Sequence, residues 1–148
     1  MSDTGLAVFD RTIQETHEWL QDLMYEMAWD DRQMAYRGLR ATLQTLRDRM
    51  TPEEAVHLGA QLPMLVRGFY YEGWKLSNMP WKISRKEEFF DRVREILADD
   101  TLRIDYEDLT RAVFKLIRHR VSDGEAEDVT SILPAELAEL WPYDPETA

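Results

Sequence analysis

The chain has no cysteine. Disulfides, thiolate metal sites and a Cys nucleophile are therefore excluded, and a reducing compartment fits. Long apolar runs are also missing. No stretch approaches the ~20 residues that a bilayer-spanning helix needs. The opening residues, MSDTGLAVFD, lack a basic region followed by an apolar core, so no secretory signal is expected. Glycine-rich phosphate loops are absent. Positive charge is scarce: 18 basic residues face 29 acidic ones, for a net charge of -11. Nucleic-acid affinity comes from Lys and Arg neutralising phosphates, and an acidic chain is repelled by nucleic acid and by anionic membranes. Neither is expected as a partner. These absences predict a soluble, cytoplasmic protein.

What is present is apolar and helical. Hydrophobic residues make up 44% of the 148, too many for a disordered acidic tail. A chain of this length buries about 70% of its unfolded surface, so one domain over residues 1–148 needs no crosslink. Leu6, Phe9, Ile13, Leu20, Leu23 and Met27 recur at helical spacing behind Asp3 or Thr4. Leu39, Leu43, Leu46 and Met50 follow behind Asp30 or Asp31. TPEE at Thr51–Glu54 is a capping box with Pro at the first helical position, and Pro63 ends that helix. MLVRGFYYE reads as a further helix. SRKE at Ser84–Glu87 and SDGE at Ser122–Glu125 read as two more capping boxes, Asp105 as another N-cap, and LPAELAELW closes the chain. No segment reads as a strand.

The chain also matches itself. From Leu46 and from Ile117, 71 residues apart, two segments align without a gap. Thr51 matches Ser122, Glu54 matches Glu125, Leu62-Pro63 matches Leu133-Pro134, and Tyr70 matches Trp141. Upstream, Arg40, Arg47 and Arg49 match Arg111, Arg118 and Arg120. Such self-similarity predicts an internal repeat. The expected fold is all-α, a single domain of two tandem helical repeats with about eight helices, packed with pseudo-twofold symmetry. Repeat one spans 5–73, a connecting strap 73–84, and repeat two 85–143.

Gly59-Ala60-Gln61-Leu62-Pro63, then LVRGFYYEGW, then VSDGEAEDV and LPAELAELW, resemble the domain-of-unknown-function 2267 family of small bacterial proteins. The resemblance covers nearly the whole chain. It implies an all-helical duplicated fold, and it carries no chemistry that could be transferred to these residues.

Candidate chemistry is sparse. Glu54-x-x-His57 has the spacing used in di-iron bundles, and its repeat counterpart is Glu125-x-x-Asp128. Capping accounts for both glutamates, whose side chains should turn back to the preceding N–H. His17, His57 and His119 form no i, i+4 pair and sit in no recognisable nucleophile pattern. No catalytic residue, metal site or cofactor is expected. The recurring arginines are expected to complement helix C-termini or to bond the acids of the next capping box. Tyr70 and Trp141 are expected to seal the core at the end of each repeat.

The strap stands out. It carries Trp74, Leu76, Met79, Trp81 and Ile83, with Lys75, Lys82, Arg85 and Lys86 and no acid between Glu72 and Glu87. Connections this long are often functional, and Trp, Tyr and Arg are enriched at interface hot spots. The leading expectation is a non-enzymatic interaction or regulatory module. Its contact residues would be Tyr71, Trp74, Lys75, Trp81, Lys82 and Arg85, binding a protein partner or a second copy of the chain. The competing expectation for the strap is that its rings plug the space between the halves. The acidic side of the first helix, with Glu15, Glu18, Asp22, Glu26, Asp30 and Asp31, is expected to be a solvated face, or to receive the strap of a second copy. One alternative function is a small-molecule or lipid carrier with a pocket between the halves lined by Met24, Met27, Phe69 and Trp74. An enzyme using Glu54 and Glu125 as paired carboxylates comes last.

Overall fold

A computed structural model describes residues 2–98 and 104–142. Helix α1 (Ala7–Met27) ends at Ala28 in a left-handed conformation. Asp31 opens α2 (Arg32–Arg49) by accepting the N–H groups of Gln33 and Met34. Thr51 and Glu54 exchange hydrogen bonds at the start of α3 (Pro52–Ala60), the predicted capping box. Pro63 then separates α3 from α4 (Met64–Tyr71). One 3-10 turn, Leu76–Asn78, interrupts the strap before α5 (Lys86–Leu97). Asp105 caps α6 (Tyr106–Arg120), Ser122 caps α7 (Asp123–Ile132), and Pro134 precedes the single turn of α8 (Ala135–Ala138). Among the described residues the chain is all-helical, with eight α-helices and no strand. The predicted end of repeat two, residue 143, and the ends of the predicted 1–148 domain lie outside the described residues.

Three helix starts differ from the sequence reading. No side chain caps α1 at Leu6. Thr4 instead donates its hydroxyl to Asp10 at 2.7 Å, and Ser2 bonds the same carboxylate. These hydroxyl bonds favour the charged form and hold the Asp10 carboxyl below its ordinary range. Leu6 and Phe9, expected in the core, are about half exposed at the start of α1. At α5 the predicted SRKE box does not form. The N-cap is Arg85, with no side-chain bond, and the Lys86 N–H donates to Glu136 Oε2 of α8 at 2.8 Å. At α7 only half the box forms. Ser122 Oγ accepts the Glu125 N–H, but the Ser122 N–H donates to Gln61 Oε1 at 3.0 Å, so Glu125 does not turn back.

Helix α2 packs against α1, α4, α5 and α6, while α3 lies on α4 and α7. All eight helices feed one hydrophobic cluster, with Leu39, Leu43, Tyr70, Phe89, Phe114 and Ile117 fully enclosed. Each such Leu or Phe contributes about 1.5–3 kcal/mol by leaving water. Tyr70 seals its end as expected, donating its hydroxyl to the Ala55 carbonyl at 2.7 Å. Trp141 is half-buried, with its ring 5.3 Å from Phe114. The acidic side of α1 is partly neutralised within the chain. Arg120 pairs with Asp22 at 2.6 Å and with Glu18 at 3.9 Å, and Lys115 pairs with Glu26 at 2.8 Å. These three carboxylates remain 30–45% exposed while α6, packed alongside α1, supplies their partners. No helix among the described residues is long and apolar enough to cross a membrane.

Candidate functional site

The strap is fixed at three points. The Trp81 N–H donates to the Asp48 carbonyl at 2.6 Å, tying the strap to the C-terminal end of α2. Trp74 stacks on Tyr71 with centroids 5.2 Å apart, and its indole N–H faces the Met79 sulfur. Ile83 is buried. Tyr71 in turn lies against Gly59, where a Cβ would come within 2.7 Å of the ring carbon Cζ. Only glycine leaves room for that ring.

The six residues expected to make contact are not gathered at one point. Tyr71 and Trp74 form one half-buried stack. Trp81 is half-buried, with the Arg92 guanidinium 5.0 Å from its centroid. Lys75 and Trp81 share the wall of a cavity of about 420 Å³, together with Arg47, Asp48 and Arg92. Lys82 and Arg85 are exposed, and Arg85 reaches Glu87 at 3.8 Å. Lys86 is engaged by Glu107 at 3.6 Å. Lys75 is exposed too.

The base of the strap hangs on Arg47. Its side chain is 5% exposed. It donates to the carbonyls of Tyr70 (2.8 Å) and Glu72 (3.0 Å), and to the Asp48 carboxylate (2.9 Å). These bonds supply the carbonyl partners that the end of α4 lacks. Arg47 stands in the last turn of α2, one of the two placements expected for it, and its guanidinium holds the end of α4. Arg40 grips the same end through Glu72 at 2.8 Å. Arg111, its counterpart by sequence, reaches the Glu139 carbonyl just after α8 at 3.4 Å.

Sequence reasoning missed a second recess. Helices α1, α2 and α4 enclose a groove of about 640 Å³. Ile13, Leu20, Tyr36, Leu65 and Phe69 form its apolar walls, and His17, Arg32 and Glu72 stand among its lining. Tyr36 meets Phe69 edge-on at 5.2 Å. Its polar floor is internally satisfied: Thr16 donates to the Thr12 carbonyl, and Thr12 Oγ1 accepts the Leu65 N–H at 2.9 Å. A signal was available in α4, which is apolar almost all round although it is short and peripheral. Of the four residues expected to line a carrier pocket, Phe69 lines this groove. Met27 lines a separate cavity with Glu26, Asp108 and Lys115, and Trp74 stacks on Tyr71. Met24 is half-buried against the core. The four do not meet in any of these cavities.

A third recess lies between α3 and α7. Glu54, His57, Glu125 and Asp128 line a cavity of about 210 Å³. Glu54 Oε1 accepts the Thr51 N–H at 3.3 Å, while its other oxygen is buried without a partner. Burial pushes the Glu125 carboxyl up, Asp128 adds to the rise, and His57 opposes it. Among the described residues, no three His, Cys, Asp or Glu side chains are arranged to hold a metal ion.

The described residues thus form an all-helical fold with recesses between its helices and beside the strap. The sequence profile of the family described as Uncharacterized conserved protein (DUF2267) matches residues 16–140, and the chain belongs to that family. No curated protein matches the chain.

Proposed function

We propose that this protein is a non-enzymatic interaction module that receives an acidic segment of a partner protein on the strap. The observation that carries this reading is the state of Lys75 and Lys82. Both are exposed, and neither makes an ion pair among the described residues. They stand on a backbone already pinned by Trp81, Trp74 and Ile83. A cation carried on a pinned backbone loses less freedom on binding than one on a floppy loop. Arg85, only weakly engaged by Glu87, is a third exposed cation of the segment. On this reading Tyr71, Trp74 and Trp81 act as rigid supports whose outer edges the partner covers. The proposal includes one domain built from two repeats, 5–73 and 85–143. The side-by-side packing of α3 and α7, each opened by a hydroxyl N-cap and closed before a Leu-Pro step, supports it.

The test is a titration of the isotope-labelled chain with an Asp/Glu-rich peptide of about 12 residues at two salt concentrations. Affinity should fall with salt. The Lys75→Glu/Lys82→Glu/Arg85→Glu variant should bind at least roughly tenfold more weakly, a loss of about 1.4 kcal/mol. Equal binding by the folded variant sinks the reading.

A further inference from the structure

The geometry points to the groove between α1, α2 and α4 as a docking site for an amphipathic helix of a partner protein, one that carries an acidic side chain beside its apolar stripe. The site is separate from the strap and rests on different residues.

Shape selects a helix over a small molecule. A ligand pocket encloses about 70–90% of what it binds. Here the walls are themselves open, with Leu65 48% and Tyr36 37% exposed. The groove thus opens along the outer surface of the chain rather than closing over its occupant. The apolar surface also runs past the groove. Phe9, 44% exposed, is one turn before Ile13 on the same side of α1. From Phe9 to Leu20 the stripe covers about 16 Å at 1.5 Å per residue, or three helical turns. Apolar anchors at i, i+4, i+7 and i+11 of a docked helix span the same length.

Charge selects the partner's sign. Two formally charged side chains line the groove, Arg32 and Glu72. Glu72 is already neutralised by Arg40 at 2.8 Å. Arg32 is exposed, stands at the first position of α2, and makes no ion pair among the described residues. Of the two charges that line the groove, the one without an ion pair among the described residues is therefore positive, on a chain of net -11. An Asp or Glu flanking the incoming apolar stripe would satisfy it, with His17 as a second polar contact.

The experiment is a selection on the full chain from a displayed library of amphipathic helical peptides of about 18 residues, with stripe and flanking charges varied. Winners should carry apolar anchors at i, i+4 and i+7 with a neighbouring Asp or Glu. They should bind at least roughly tenfold more weakly to Leu65→Glu and to Arg32→Glu. Both substituted side chains are exposed, so both variants should fold, as circular dichroism checks. Selection on Arg32→Glu should shift the flanking charge to Lys or Arg. In labelled chain, the winners should perturb Ile13, Tyr36 and Phe69. Winners that bind Leu65→Glu equally well, or no winners at all, overturn the proposal. So do two other results: dodecanoate perturbing the same residues at lower concentration than any winner, or dilution of the chain alone perturbing them. The first makes the occupant a lipid and the second makes it another copy.

Discussion

Replacing Arg47 by Met keeps the aliphatic stem in place and removes only the guanidinium. Three bonds go with it, to Tyr70 O, Glu72 O and Asp48. Hydrogen bonds to a charged group each contribute about 1.5–3 kcal/mol. The losses do not sum in full. The Glu72 carbonyl belongs to an exposed residue and can take water, and Asp48 keeps Arg92 at 3.5 Å. Removing a buried charge also removes its desolvation penalty. The Tyr70 carbonyl, on a fully enclosed residue, is left without its donor. The expected loss is about 3 kcal/mol, the lower end of what breaking a buried pair costs. Urea unfolding followed by circular dichroism reads this directly. With a slope of about 2 kcal/mol per molar, the midpoint should fall by about 1.5 M. Thermal unfolding should move down by roughly 6–12 °C. Arg47→Lys should recover only part of the loss, since an ammonium lacks the planar fork that reaches two carbonyls and a carboxylate. A midpoint shift below about 0.5 M with an unchanged slope would refute the assignment of Arg47 as the clasp of α4 and the strap.

Gly59→Ala places a methyl group against the Tyr71 ring and 3.2 Å from Tyr70. It should cost about 1–3 kcal/mol and unstack Trp74, visible as a change in tryptophan fluorescence; native stability with an unchanged spectrum would contradict it. Glu125 has a folded pKa above its ordinary 4.5. The folded state therefore holds this proton more tightly than the unfolded state does. Its contribution to stability is fully present below pH 4.5 and is lost as pH rises through the raised folded value. Glu125→Gln should remove that part of the slope, so the stability difference between variant and native chain should grow in the variant's favour as pH rises across that window. A difference that stays flat with pH would count against the buried setting of Glu125.

Where local chemistry sufficed, the sequence was readable. Thr51, Asp31, Asp105 and Ser122 each cap the helix they precede, because an N-cap acts within three residues and needs nothing from elsewhere. Apolar spacing found the inner faces of α2 and α6 for the same reason. The misreadings share a cause. At Ser84–Glu87 the helix starts instead at Arg85, with the next N–H, of Lys86, taken by Glu136, and at Ser122 the returning glutamate lost to Gln61. Both winners come from distant parts of the chain, and spacing along the sequence carries no information about them. The groove escaped notice similarly. Leu6, Phe9 and Leu65 have the spacing of core residues, but only the packed arrangement reveals that no helix covers them. The strap's odd composition was visible. That its rings could pack inward was weighed from the sequence; that Lys75 and Lys82 would stay exposed without an ion pair among the described residues was not.

The bond from Lys86 N–H to Glu136 ties the beginning of α5 to a residue made 50 positions later. A ribosome adding about 5–20 residues per second takes roughly 3–10 s to cover that interval. Through that interval the first turn of α5 has water where its acceptor will be. Arg120 and Lys115 likewise arrive long after the carboxylates of α1 that they join. The nascent chain thus carries an open seam until α8 is made. A message truncated before residue 136 would yield a product with that seam still open.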